Sequence, residues 1–157
     1  LSEVCHFLDL ARALVAAPLV SIYAESPAGT AGGRANRDNV QVSLRFEDGS
    51  LATISYLASG DPTTAKEYLE VFGGGQTAIL EDFRTLRLFR QGKQKRLRAR
   101  GKGHREELLH FIECLHTGKP LALPFGEAVA SMEATFCILE SLRQGKPVAL
   151  PCGSYDH

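Results

Sequence analysis

The chain has 157 residues, 44% of them hydrophobic, and its 18 Lys and Arg balance 18 Asp and Glu. That apolar mass suffices for one domain with a real core, expected to span residues 1–157. Zero net charge excludes a chain built as a whole for nucleic acid or acidic membranes, and no apolar run nears the ~18 residues of a membrane span.

Residues 3 to 15 place Val4, Phe7, Leu8, Ala11, Leu14 and Val15 at helical spacing, with Ser2 as the expected N-cap and Pro18 as the stop. No basic segment followed by an apolar one marks a signal peptide. Leu19 to Ala24 reads as a strand, and Glu25 to Arg37, rich in Gly, Ala, Pro and Ser, as a loop. Val40, Val42, Leu44 and Phe46 alternate with Gln41, Ser43 and Arg45, so this strand has one buried face. Asp48-Gly49 turns it into a partner at Leu51 to Ala58. After a loop at Gly60 to Thr64, Glu67 to Phe72 and Thr77 to Leu80 pair around Gly73-Gly74-Gly75. Leu86 to Phe89 and Lys95 to Ala99 pair around Gln91-Gly92.

Two helices follow, from about Arg105 to Thr117 with Leu108, Ile112 and Leu115 on one face, and from about Phe125 to Gln144 with Val129, Met132, Phe136 and Leu139. Each closes on the same pattern, Leu115 to Pro124 and Leu142 to Pro151. In each, a glycine (Gly118, Gly145) supplies the left-handed position, a lysine sits at the negative helix end, and a proline bars continuation. The expected fold is therefore α+β: a mainly antiparallel open sheet of about six strands with helices packed on one face.

Candidate chemistry concentrates on the first helix. His6 and Asp9, three apart, share a side, with Glu3 one turn earlier. A histidine beside a carboxylate can act as general acid or base near neutral pH. A solvated His–Asp pair fits the same spacing. Cys5, His6, His110, Cys114 and His116 invite a metal reading, and His110 and Cys114 at i, i+4 could share an ion, but no spacing brings in further ligands, so no metal is expected. The four cysteines (Cys5, Cys114, Cys137, Cys152) form no CxxC, and three lie in apolar helical patterns, which reads as buried thiols in a reducing, cytoplasmic setting.

Arg84 to Arg105 holds ten of the 18 basic residues and no acid. The favoured reading is a charged edge that resists unwanted pairing, with contact to an anion or a cofactor phosphate as the alternative; Phe89 alone offers a stacking surface, so nucleic acid is not an expected partner. Gly73-Gly74-Gly75 lies between two β-like segments, not between a strand and a helix, so it reads as a turn and not as a dinucleotide loop.

Glu3-Val-Cys-His-Phe-Leu-Asp-Leu-Ala-Arg12, the hairpin Val40 to Tyr56 around Phe-Glu-Asp-Gly-Ser, Glu70-Val-Phe-Gly-Gly-Gly and Lys102-Gly-His104 together resemble the C-terminal domain of the Gfo/Idh/MocA oxidoreductases. The resemblance runs over essentially the whole chain. It implies a parent enzyme whose separate Rossmann domain binds NAD or NADP, with this chain supplying the substrate pocket and an oligomerising sheet. It implies that His6 moves a proton when a hydride leaves a sugar or polyol carbon, and that Asp9, with Glu3 nearby, holds substrate. Many members carry an aspartate four residues before this histidine, where this chain has Ser2. The expected partners are a small-molecule substrate and a second copy of the chain. No cofactor is expected on the chain alone, which should not turn over without its cofactor domain. The rival expectation is a non-catalytic assembly module of the same fold.

Overall fold

The computed structural model describes residues 3–27, 39–64, 66–99, 101 and 103–151. Within them the order is α1 (Val4–Leu14), β1 (Leu19–Glu25), β2 (Asn39–Phe46), β3 (Leu51–Leu57), β4 (Tyr68–Gly73), β5 (Gln76–Glu81), β6 (Thr85–Arg90), β7 (Lys93–Arg98), α2 (His104–Thr117), α3 (Phe125–Gln144) and β8 (Val148–Ala149). This is the expected α+β, antiparallel architecture, but the strands divide into two four-stranded sheets, ordered β3-β2-β1-β8 and β4-β5-β6-β7. The chain forms two compact units, one of Leu1–Ser59 with Ala122–His157 and the other of Gly60–Leu121. No described helix is long and apolar enough to cross a membrane.

In the first unit the alternation of β2 works as its sequence demands. Val40, Val42, Leu44 and Phe46 are buried while Gln41, Ser43 and Arg45 are exposed. Ile22, Ala24 and Ile54 extend that face, and Val4 and Leu8 of α1 with Ala134, Cys137 and Ile138 of α3 cover it. Burying these side chains, at roughly 1.5–3 kcal/mol for each large one, is what offsets the entropy of ordering this unit.

The short strand β8 is not expected from the sequence. It pairs antiparallel with β1, Ala149 opposite Ser21 and Val148 opposite Ile22, and Leu150 N–H donates to Val20 O at 3.0 Å. Continued by two residues, this register would set Lys146 opposite Ala24. There the backbones do not bond directly. The Ser141 hydroxyl stands between them, accepting from Ala24 N–H at 2.9 Å and donating to Lys146 O at 2.8 Å. Ser141 is fully buried, so a helix side chain is spliced into a sheet ladder.

The face of α3 differs from the expected one. Val129, Met132, Phe136 and Leu139 are exposed, whereas Ser131, Ala134, Cys137, Ile138 and Ser141 are buried. Small residues let the helix axis approach the sheet and α1 closely, and the two serines satisfy polar groups there, which large side chains would prevent. α2 departs similarly: Leu108 is 64% and Leu115 69% exposed, and Cys114 alone among its residues is buried. Nor are all the cysteines thiols. Cys5 and Cys114 are, but Cys137 is disulfide-bonded. Cys152 and the expected cap Ser2 lie outside the described residues, and Glu3 occupies the cap position of α1 without a side-chain bond to the helix amides.

The second unit is a β-meander followed by α2. Gly74 and Gly75, both at positive φ (54° and 70°), make the two-residue turn between β4 and β5, the conformation that suits the twist of a hairpin. Cross-strand registers put Leu69, Leu80, Leu86 and Leu97 in one row, with Val71, Ala78 and Leu88 beside them on the same face. The opposite face carries Tyr68, Glu70, Ile79, Arg87, Phe89 and Arg96. The basic β7 lies at the sheet edge, where charge is the usual device against stray pairing, with Lys93 and Lys95 on the leucine face and Arg96 and Arg98 on the other.

Candidate functional site

α1 and its cap carry Glu, His and Asp at one-turn spacing, as Glu3, His6 and Asp9. Val4 and Leu8, both 0% exposed, pin one side of the helix to the core, which leaves His6 exposed on the other. Glu3 is exposed and Asp9 half-buried. The structure therefore keeps Glu3, His6 and Asp9 together, in one unit and on one helix.

Two residues from elsewhere in the fold bring hydroxyls to the flanking carboxylates. Tyr56 of β3 donates its hydroxyl to Glu3 Oε2 at 3.5 Å, a long contact. Ser131 of α3 donates its hydroxyl to Asp9 Oδ1. Around Ser131 a cluster closes. Arg12 Nη1 donates to Ser131 Oγ at 2.8 Å and to the Glu127 carbonyl at 2.9 Å, and Arg12 Nη2 pairs with Glu127 Oε2 at 2.7 Å. The Arg12 side chain is only 18% exposed, so this bifurcated, charge-assisted grip is less screened than a surface pair.

Sequence reasoning missed Tyr56, Ser131, Arg12 and Glu127. Arg12 carried a signal, since it lies three residues after Asp9 and continues the polar stripe. Ser131 carried a weaker one, a small polar residue inside an apolar helix. Nothing in the chain links them across more than a hundred residues.

The other constellations weighed in the sequence divide as follows between the two units. Cys114 Sγ lies 3.5 Å from His110 Nε2 and donates to Pro120 O at 3.5 Å, all within the second unit, while Cys5 and His6 belong to the first. Among the described residues no group of three or more His, Cys, Asp or Glu converges as a metal set. The glycines at 73–75 end a strand and open another, so they present no helix N-terminus to a dinucleotide phosphate.

Comparison with known proteins gives the fold a context. A family model for the oxidoreductase family, C-terminal alpha/beta domain, matches residues 1–150. Among solved structures, the UDP-N-acetylglucosamine 3-dehydrogenase GnnA from Acidithiobacillus ferrooxidans superposes with a TM-score of 0.76 at 15% identity, over 89% of this chain and 45% of that one. The aldose-aldose oxidoreductase from Caulobacter crescentus, complexed with glycerol, gives 0.76 at 18% identity over 93% and 45%. An oxidoreductase from Agrobacterium radiobacter, in complex with NAD+, L-tartaric acid and magnesium, gives 0.76 at 14% identity over 92% and 47%. The chain thus spans about half the length of these structures. A search of curated proteins finds no match.

Proposed function

The chain belongs to the oxidoreductase family as its C-terminal alpha/beta domain, and from that premise we propose that it is the substrate-binding and dimerisation part of an NAD(P)-dependent enzyme. The substrate class is a sugar, polyol or related hydroxyl compound. What carries this reading is the exposed imidazole of His6, set between the Glu3 and Asp9 carboxylates on a helix locked to the core. The solved relatives support it, one being a sugar-nucleotide dehydrogenase and another bound to NAD+.

In this proposal His6 takes the proton of the reacting hydroxyl, or returns it in the reverse direction, as a general base or acid. Asp9 and Glu3 accept hydrogen bonds from neighbouring hydroxyls and orient the substrate. The chain has no GxGxxG opening a helix, the Gly-rich cradle that a dinucleotide pyrophosphate uses. The cofactor, NAD or NADP, accordingly falls to another part of the enzyme. Isothermal calorimetry on this chain should show no micromolar binding of NADH, and such binding would sink that assignment.

Dimerisation through the second unit's sheet is supported by its leucine row, Leu69, Leu80, Leu86 and Leu97, an apolar band suited to a self-complementary contact. A monomer by light scattering across the micromolar range would count against it. The same band supports a second reading, a non-catalytic assembly module. His6→Ala in the full enzyme separates the two. A loss of about 10²–10⁴ in kcat favours catalysis, and an unchanged rate favours the module.

A further inference from the structure

We infer that Ser131 is a positioning residue of the α1 site: its hydroxyl fixes the Asp9 carboxylate beside His6, and Arg12 and Glu127 fix the hydroxyl. The inference rests on the proposed role of the α1 stripe and concerns a residue 122 positions away from Asp9.

A serine hydroxyl has one hydrogen and a freely rotating bond, so alone it orients nothing. Here both ends are committed. Its hydrogen goes to Asp9 Oδ1, and its lone pair receives Arg12 Nη1 at 2.8 Å. Only one rotor satisfies both partners. Arg12 is in turn anchored at two points of α3, the Glu127 carbonyl and the Glu127 carboxylate. Ser131 is 3% exposed, so water cannot readily take its place.

The consequence for the site is geometric and electrostatic. With Oδ1 held toward α3, contact with a substrate hydroxyl falls to Oδ2. Arg12 and Glu127 cancel each other, so the cluster of Asp9, Arg12 and Glu127 keeps one negative charge. Asp9 and His6 share a side of α1, and that charge is therefore presented in a fixed direction beside the imidazole. A simple clasp between α1 and α3 would need the same bonds but would leave His6 indifferent to them.

The test uses this chain, isotopically labelled, as Ser131→Ala, Asp9→Asn and the double variant, with the His6 ring resonances followed by NMR. Each single change should move those resonances, and the double variant should move them no further than Asp9→Asn alone. Shifts that add, or a folded Ser131→Ala whose His6 resonances match the wild type, would overturn the inference. Should Ser131→Ala fail to fold, Arg12→Gln keeps the inference open to refutation. It loosens the hydroxyl without removing it and should shift His6 in the same direction, and no shift overturns the inference. In the full enzyme Ser131→Ala should raise KM about tenfold, the scale of one lost hydrogen bond to a charged group, while lowering kcat far less than His6→Ala does. An unchanged kcat in His6→Ala refutes the catalytic reading, whereas the NMR shifts still decide the positioning role of Ser131.

Discussion

Ser141→Ala tests the spliced ladder directly. The change removes one buried oxygen that both accepts from Ala24 N–H and donates to Lys146 O. Ala24 is 2% exposed, so its amide is left without a partner in an apolar setting. Orphaning such a donor costs about 1–3 kcal/mol. The Lys146 carbonyl belongs to an exposed residue and can take water, so it adds little. The expected loss is about 2 kcal/mol, equivalent to a fall in Tm of roughly 4–8 °C for a chain of this size. Urea unfolding read by far-UV circular dichroism gives the magnitude, and amide exchange gives the location, because Ala24 should lose protection more than Ile22 or Val42. Ser43→Ala, on the exposed side of β2, is the control and should change stability by under ~0.5 kcal/mol. A Ser141→Ala variant as stable as that control, with Ala24 still protected, would refute the splice.

Gly145→Ala should cost about 1 kcal/mol in the same urea assay. Gly145 closes α3 at φ 65°, a left-handed conformation costly for alanine even though its surroundings are open. Acid should weaken the fold through Glu140, whose carboxyl Arg143 and Gln144 lower from 4.5 to about 2. A lowered folded value means the contribution is present above the ordinary carboxylate range and is lost as pH falls from about 4.5 towards about 2. Asp61, lowered by the hydroxyl and amide of Thr63, acts with the same sign. Glu140→Gln should flatten that acid limb in a pH series of unfolding curves, and identical slopes would contradict the assignment.

What was legible in the sequence follows from the range of each cause. The β2–β3 hairpin could be read because alternation and a turn are local, and the helix ends could be read because a glycine and a proline act within a few residues. The buried face of α3 could not. Periodicity selects the most apolar stripe, but Phe125 (82% exposed) and Met132 (52%) belong to the outer side, while Ala134 and two serines face inward. Close approach between backbones rewards small side chains, and only the tertiary fold says where that approach occurs. The two matching decapeptides behave in the same way. Leu121-Ala122-Leu123 forms no strand, whereas Val148-Ala149 becomes one because β1 has an open edge beside it. At the candidate site, Glu3, His6 and Asp9 were legible as a local stripe, and Ser131 was not, being far away along the chain.

The path of the chain through the first sheet also sets an order of events during synthesis. β1, β2 and β3 emerge early, but α3 and β8, which cover and extend them, emerge only after the whole of residues 60–121. The meander β4-β5-β6-β7 needs only neighbouring hairpins and can form as soon as it leaves the ribosome. Until α3 arrives, α1 alone is available to cover the face of Ile22, Val42 and Leu44, and the part that Ala134, Cys137 and Ile138 will occupy stands open to solvent. The nascent chain therefore passes through a stage with one sheet assembled and the other only half covered, and chaperone engagement should concentrate on residues 19–57 during that interval.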